Sequence, residues 1–158
     1  MHTLNSLADA LESDRITSRE LVERCLARIE APDGEGQRTF LKVDAERALQ
    51  AADVCDRERR AGRARSRYAG IPVSIKDLFD REGEVTTAGS TLLRNAAPAT
   101  RDAASVERLV RAGFIPIGRT NMTEFAFSGL GLNCHSGTPA NPFDRATRRI
   151  PGGSSSGA

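Results

Sequence analysis

The chain has 158 residues, 39% of them hydrophobic and 28% charged, a make-up that excludes disordered and fibrous classes. Its formal net charge of +2 is too small to imply a polyanionic partner. Cys25, Cys55 and Cys134 lack CxxC spacing and, with only His2 and His135 beside them, make no metal pattern, so a reduced, cytoplasmic setting without a metal is expected.

The N-terminal "MHTLNSLADALESDR" has no basic region followed by an apolar one, and no later apolar run approaches the ~20 residues of a membrane span. Neither export nor a membrane is expected. "LNSLADALES" and "ITSRELVERCLARIEA" carry apolar residues at helical spacing, and Thr17 with Glu20 predicts a capping box at the start of the second helix. "TFLKV" reads as a short strand, after which Asp44 is expected to cap a long helix through "AERALQAADVCDRERRAG". The arginines between 57 and 67, with Asp56 and Glu58 interleaved, read as a solvated helix end.

From Gly70 the texture changes. "GIPVSIKDLFD" is a β-rich run with a lysine inside it. Asp102 is expected to open the helix "DAASVERLVRAG", with Gly113 at its C-terminal end, and "FIPIG" is the following strand. Alternating helices and strands predict an α/β fold. Beyond Arg119 the chain is irregular and glycine-rich, and it closes on "IPGGSSSGA".

Two stretches carry chemistry. Lys76 sits among Val73, Ile75, Leu78 and Phe79, and burial there disfavours the ammonium form and makes the amine a usable base. The competing reading is a lysine at a strand end, paired with Asp77 or Asp80 in water. Near the C-terminus, Gly152 and Gly153 ahead of Ser154 allow a turn closed to other residues, although a flexible linker has the same composition. A serine needs a base, and His2 near a terminus and His135 in a polar loop are poor candidates, which leaves serine with lysine as the available chemistry.

"GIPVSIKD", "TTAGS", "DAASVERLVRAGFIPIGRTNMTEFAFSGLGLN", "GTPANPFD" and "PGGSSSGA" occur in this order, and as a set they resemble the amidase signature family. The resemblance covers residues 70–158 closely. It implies a mixed, twisted β-sheet flanked by helices, with residues 1–158 as the N-terminal portion of a single domain. Residues 1–68 are then a mainly helical lead-in and residues 70–158 part of the signature core.

The resemblance also implies a Ser, cis-Ser, Lys triad. Lys76 matches the lysine, and Ser154 the bridging serine after a cis bond from Gly153. Gly152, Gly153 and Ser155 match supporting positions, and Ser128 and Gly129 open a loop that lines the acyl pocket. The acyl-forming serine belongs to a later glycine-rich segment, so the chain is expected to stop inside the motif, before it. Taken alone it is expected to be inactive and to expose apolar edges along "IPVSI" and "FIPIG".

The implied reaction is hydrolysis of a small-molecule carboxylic amide without a cofactor, with a homodimer as a candidate assembly. The alternative within the family is the A subunit of the tRNA-dependent amidotransferase, a glutaminase and the one reading that connects the chain to nucleic acid. "NMTEFAFSGLGLN" favours the stand-alone enzymes. An inactive truncated fragment is the alternative of another class.

Overall fold

Helix α2 (Ser18–Glu30) starts at the predicted capping box: Thr17 accepts from the Glu20 amide and Glu20 reaches back to the amide of Thr17. A second carboxylate completes this helix end from a distance. Asp56, in α4 (Ala45–Arg60), accepts from the amides of Ser18 at 2.8 Å and Arg19 at 3.1 Å, so two donors that α2 cannot satisfy internally are met by another helix. Asp56 is therefore buried, not solvated as its charged neighbourhood suggests. The computed structural model that shows this describes residues 3–158; His2 lies outside the described residues.

The remaining elements are α1 (Leu4–Glu12), α3 (Gly36–Thr39), β1 (Phe40–Val43), β2 (Pro72–Lys76), α5 (Ala104–Arg111) and β3 (Ile115–Thr120). The strands form a mixed sheet in the order β1-β3-β2. β1 runs antiparallel to β3, with Val43 opposite Gly118, and β2 runs parallel to it, with Lys76 opposite Thr120. A parallel pair needs a long crossover, and the segment that contains α5 provides it. β3 is thus central, and "FIPIG" does not form the expected edge; β2 does.

Ile115 and Ile117 stand two residues apart and share one face, where they pack with Val22 and Leu26 of α2 and Ala48 and Ala52 of α4. A second cluster joins Ala8 and Leu11 of α1 to Ile16, Leu21 and Ile71. Removing the valine, leucine and isoleucine side chains from water contributes about 1.5 to 3 kcal/mol each, which makes these helices the support of the sheet. The fold is mixed α/β, a small sheet flanked by helices.

Two caps differ from the sequence reading. Asp44 precedes α4 without a capping hydrogen bond, and its carboxylate lies 3.8 Å from the Arg81 guanidinium. Ala103 holds the cap position of α5, while Asp102 accepts instead from the Glu82 amide at 2.7 Å. In both cases a nearby donor outside the helix competes successfully for the side chain. Gly113, with φ +91°, does follow α5 as expected. Among the described residues no helix is long and apolar enough to cross a membrane. The three cysteines are free, and burial pushes the thiols of Cys25 and Cys55 up.

Asp56→Ala leaves the first amides of α2 without their acceptor, and the expected loss is about 1 to 2 kcal/mol. It is read as a lower urea midpoint of the full-length protein, and an unchanged midpoint would show that water replaces the carboxylate.

Candidate active site

Lys76 is the last residue of β2 and is half-buried. Its amine pairs with neither Asp77 nor Asp80: Nζ lies 2.7 Å from Ser154 Oγ, 78 residues further along the chain. A cavity of about 320 Å³ borders Lys76 and is walled by Phe79, Val106 and Leu109 and by Thr120 and Ser155, the neighbour of Ser154. Ser155 itself is exposed, and its hydroxyl makes no hydrogen bond among the described residues.

The turn that carries Ser154 is held by its backbone. The Gly153–Ser154 peptide bond is cis, and Gly152 has φ +85°. The Gly153 amide donates to Gly129 O at 2.8 Å, and Ser154 O accepts from the Thr123 amide at 3.0 Å. Thr123 Oγ1 in turn donates to Ser128 O at 3.1 Å, and Ser128 Oγ accepts from the Leu130 amide at 3.2 Å. Gly129 therefore meets the turn directly through its backbone oxygen, and Ser128 is linked to it through Thr123.

The approach is close enough to require glycine on both sides. A Cβ at Gly153 would stand 2.7 Å from Gly131 N and 2.8 Å from Ser128 O, and one at Gly131, whose φ is +82°, would overlap Gly152 O. These are backbone atoms that no rotamer change can move away.

Several buried polar residues behind the turn had no such role assigned from the sequence. Asn121, fully buried, donates through Nδ2 to Arg38 O and Gly137 O, both at 2.8 Å, and accepts from the Met122 amide at 2.8 Å. Asn133 donates to Gly89 O at 2.8 Å and Met122 O at 2.7 Å, and accepts from the amides of His135 and Ser136. Asp77 and Arg119 form a buried ion pair at 2.9 Å. A carboxylate in the sequence next to the lysine was the one available signal, and it read equally well as a surface counter-ion.

His135 is exposed, as its polar setting suggests, and its Nε2 lies 2.9 Å from Glu124 Oε1. Ser90 Oγ donates to the same oxygen at 2.6 Å. The Ser90 hydrogen bond, with help from His135, holds the Glu124 carboxyl below the usual range. Glu124 bridges both nearby groups, so this cluster is not a serine activated by histidine. No group of acidic, histidine and cysteine side chains suited to a metal occurs among the described residues.

The family model described as "Amidase" matches residues 20–158. This chain belongs to the amidase signature family. Among its relatives, the A subunit of glutamyl-tRNA(Gln) amidotransferase from Cupriavidus necator is 42% identical over 156 residues, covering 99% of this chain and 30% of the relative. The corresponding A subunit from Anaeromyxobacter dehalogenans is 46% identical over 143 residues, covering 90% of this chain and 28% of the relative.

Among solved structures, native peptide amidase from Stenotrophomonas maltophilia has a TM-score of 0.82 at 35% identity, covering 98% of this chain and 32% of that one. A vestigial protein complex bearing on the origins of an s-triazine catabolic enzyme has a TM-score of 0.90 at 39% identity, covering 99% and 34%. The chain spans about a third of the length of these family members.

Gly131→Ala is expected to push the 152–154 turn away, so that a crystal structure of the variant shows Lys76 Nζ and Ser154 Oγ beyond 3.5 Å. An unmoved turn would mean that the loop yields instead. At Glu124 the folded value is depressed, so its contribution to stability is present above the ordinary glutamate value of ~4.3 and is lost as pH falls through the lower folded value. In Ser90→Ala, the Glu124 carboxyl followed by NMR should titrate nearer the ordinary value; an unchanged midpoint would remove Ser90 as the main cause.

Proposed function

We propose that the protein hydrolyses a carboxylic amide, with Lys76 and Ser154 as the proton relay of a Ser, cis-Ser, Lys triad. The observation that carries this reading is the 2.7 Å contact between Lys76 Nζ and Ser154 Oγ beside a cavity. A serine hydroxyl becomes an effective nucleophile only when a base accepts its proton. The nucleophile in this reading is a serine further along the polypeptide than Ala158. As its oxygen bonds to the amide carbon, its proton passes to Ser154 Oγ and the Ser154 proton passes to the Lys76 nitrogen. The tetrahedral intermediate then breaks its C–N bond, and the proton returns through Ser154 to the leaving nitrogen. Water repeats the sequence on the acyl-enzyme and releases the carboxylate.

The substrate is a small-molecule amide and the setting is the cytoplasm. The loop from Ser128 and Gly129 supports the acyl side of the site, through the backbone contacts that place it against the turn.

A second reading has a specific observation in its favour, since the curated relatives at 42% and 46% identity are glutamyl-tRNA(Gln) amidotransferase A subunits. In that reading the same relay releases ammonia from glutamine for a partner protein. Ammonia release by the full-length protein from acetamide, benzamide and glutamine separates the two: turnover of simple amides without a partner supports the first, and turnover of glutamine alone supports the second. Lys76→Ala and Ser154→Ala should each lower kcat by about 10²- to 10⁴-fold on either substrate class. Wild-type turnover in either variant would end the relay assignment.

A further inference from the structure

We propose that Asp77 is a positioning residue for the Lys76 and Ser154 pair: an acceptor-only group that ties the end of β2 to the loops holding the Ser154 turn. The inference rests on the amide-hydrolysis reading above. Asp77 is 2% exposed, and its carboxylate is surrounded by donors. Oδ1 accepts from Arg119 Nε at 3.1 Å and Nη2 at 2.9 Å, and Oδ2 accepts from the Gly89 amide at 3.1 Å and from Thr87 Oγ1. Its backbone is also engaged, donating to Thr120 O at 3.1 Å and accepting from the Ala88 amide at 2.9 Å. The first bond extends the β2/β3 pairing past Lys76; the second attaches residues 87–89.

From there a continuous set of hydrogen bonds leads to the other half of the pair. Gly89 O accepts from Asn133 Nδ2, the same nitrogen donates to Met122 O, and the next residue, Thr123, donates its amide to Ser154 O. Asp77 is one peptide bond from Lys76. The lysine and the serine are thus joined by a second route, from behind, that does not pass through their own hydrogen bond. Asp77, Gly89, Asn133, Met122 and Thr123 do not line the cavity, so the carboxylate sets where the reacting groups stand and leaves substrate contact to others.

The donor ring makes the requirement sharp. An asparagine in place of Asp77 keeps the shape but turns one oxygen into an NH₂, which must point at Arg119 or at Gly89 and Thr87; either way donor meets donor in a buried site. Arg119→Gln alters the complement: the glutamine Oε1 can occupy the place of the arginine Nε and accept from the new NH₂. The remaining side-chain oxygen at position 77 then stays available to Gly89 and Thr87.

The test uses full-length protein and ammonia release from benzamide and glutamine. Asp77→Asn is expected to lower kcat roughly 10- to 100-fold, the scale of a misplacement near 1 Å, with KM changed less than about twofold. The double variant with Arg119→Gln is expected to recover several-fold of the lost kcat. Thr87→Val, which removes one donor and keeps both charges, is expected to lower kcat several-fold at constant KM, and it keeps the test decisive should Asp77→Asn fail to fold. Wild-type kcat in Asp77→Asn or in Thr87→Val overturns the proposal, as does a loss confined to KM. Lys76→Ala run in parallel separates the two levels: if it is inactive while Asp77→Asn is normal, only the positioning role falls, and if it retains activity, the relay falls with it.

Discussion

Strand β3 is buried along nearly its whole length, and backbone in that position must find hydrogen-bond partners on both edges. β1 and β2 supply them, one antiparallel and one parallel. The same strand carries Arg119 into the interior at 3% exposure, where an unpaired guanidinium would be far more costly than any one hydrogen bond. Asp77 meets that charge from the end of the neighbouring strand. Charge balance in the core and the location of Lys76 are therefore one constraint, because Asp77 and Lys76 are adjacent in sequence.

Around this pair the backbone is largely irregular, and irregular buried backbone leaves polar groups that no ladder satisfies. Asn121 and Asn133 answer that need with both halves of their amides, each donating to two carbonyls and accepting from main-chain amides. A carboxylate at either position would face two carbonyl oxygens, and a leucine of similar size would leave all of them unpaired. The opposite polarity holds at Asp77, where the surrounding groups are donors. The loops are thus specified by donor and acceptor pattern where the helices are specified by apolar periodicity.

That difference explains what the sequence disclosed. The helices α1, α2 and α4 were readable because Ala8 and Leu11, Val22 and Leu26, and Ala48 and Ala52 recur at the spacing of one face and because Thr17 and Glu20 mark a start. The cap positions at Asp44 and Asp102 misled, since a local pattern cannot reveal that Arg81 or the Glu82 amide will compete for the side chain. The order of strands was equally hidden: "IPVSI" and "FIPIG" look alike, and only the pairing with β1 makes one central. At the site, Lys76 and Ser154 stood out by chemical type and by motif, whereas Asn133 and Arg119 have meaning only through partners 44 and 42 residues away.

The two members of the pair depend on different physics. Lys76 is placed by a strand end whose position follows from a buried ion pair, so it is sensitive to charge and to the direction of a few hydrogen bonds. Ser154 is placed by main-chain bonds from Gly153 to Gly129 and from Thr123 to Ser154, together with the bond from the Gly157 amide to Asn121 O at 3.0 Å. These bonds use no side chain of the turn, and the turn is sensitive chiefly to added volume, at Gly131 and Gly153. A contact of 2.7 Å between two groups held by such different means persists only if both supports are stiff. The hydrogen bonds linking Gly89, Asn133 and Met122 connect them, so that a displacement of either support is shared by the other.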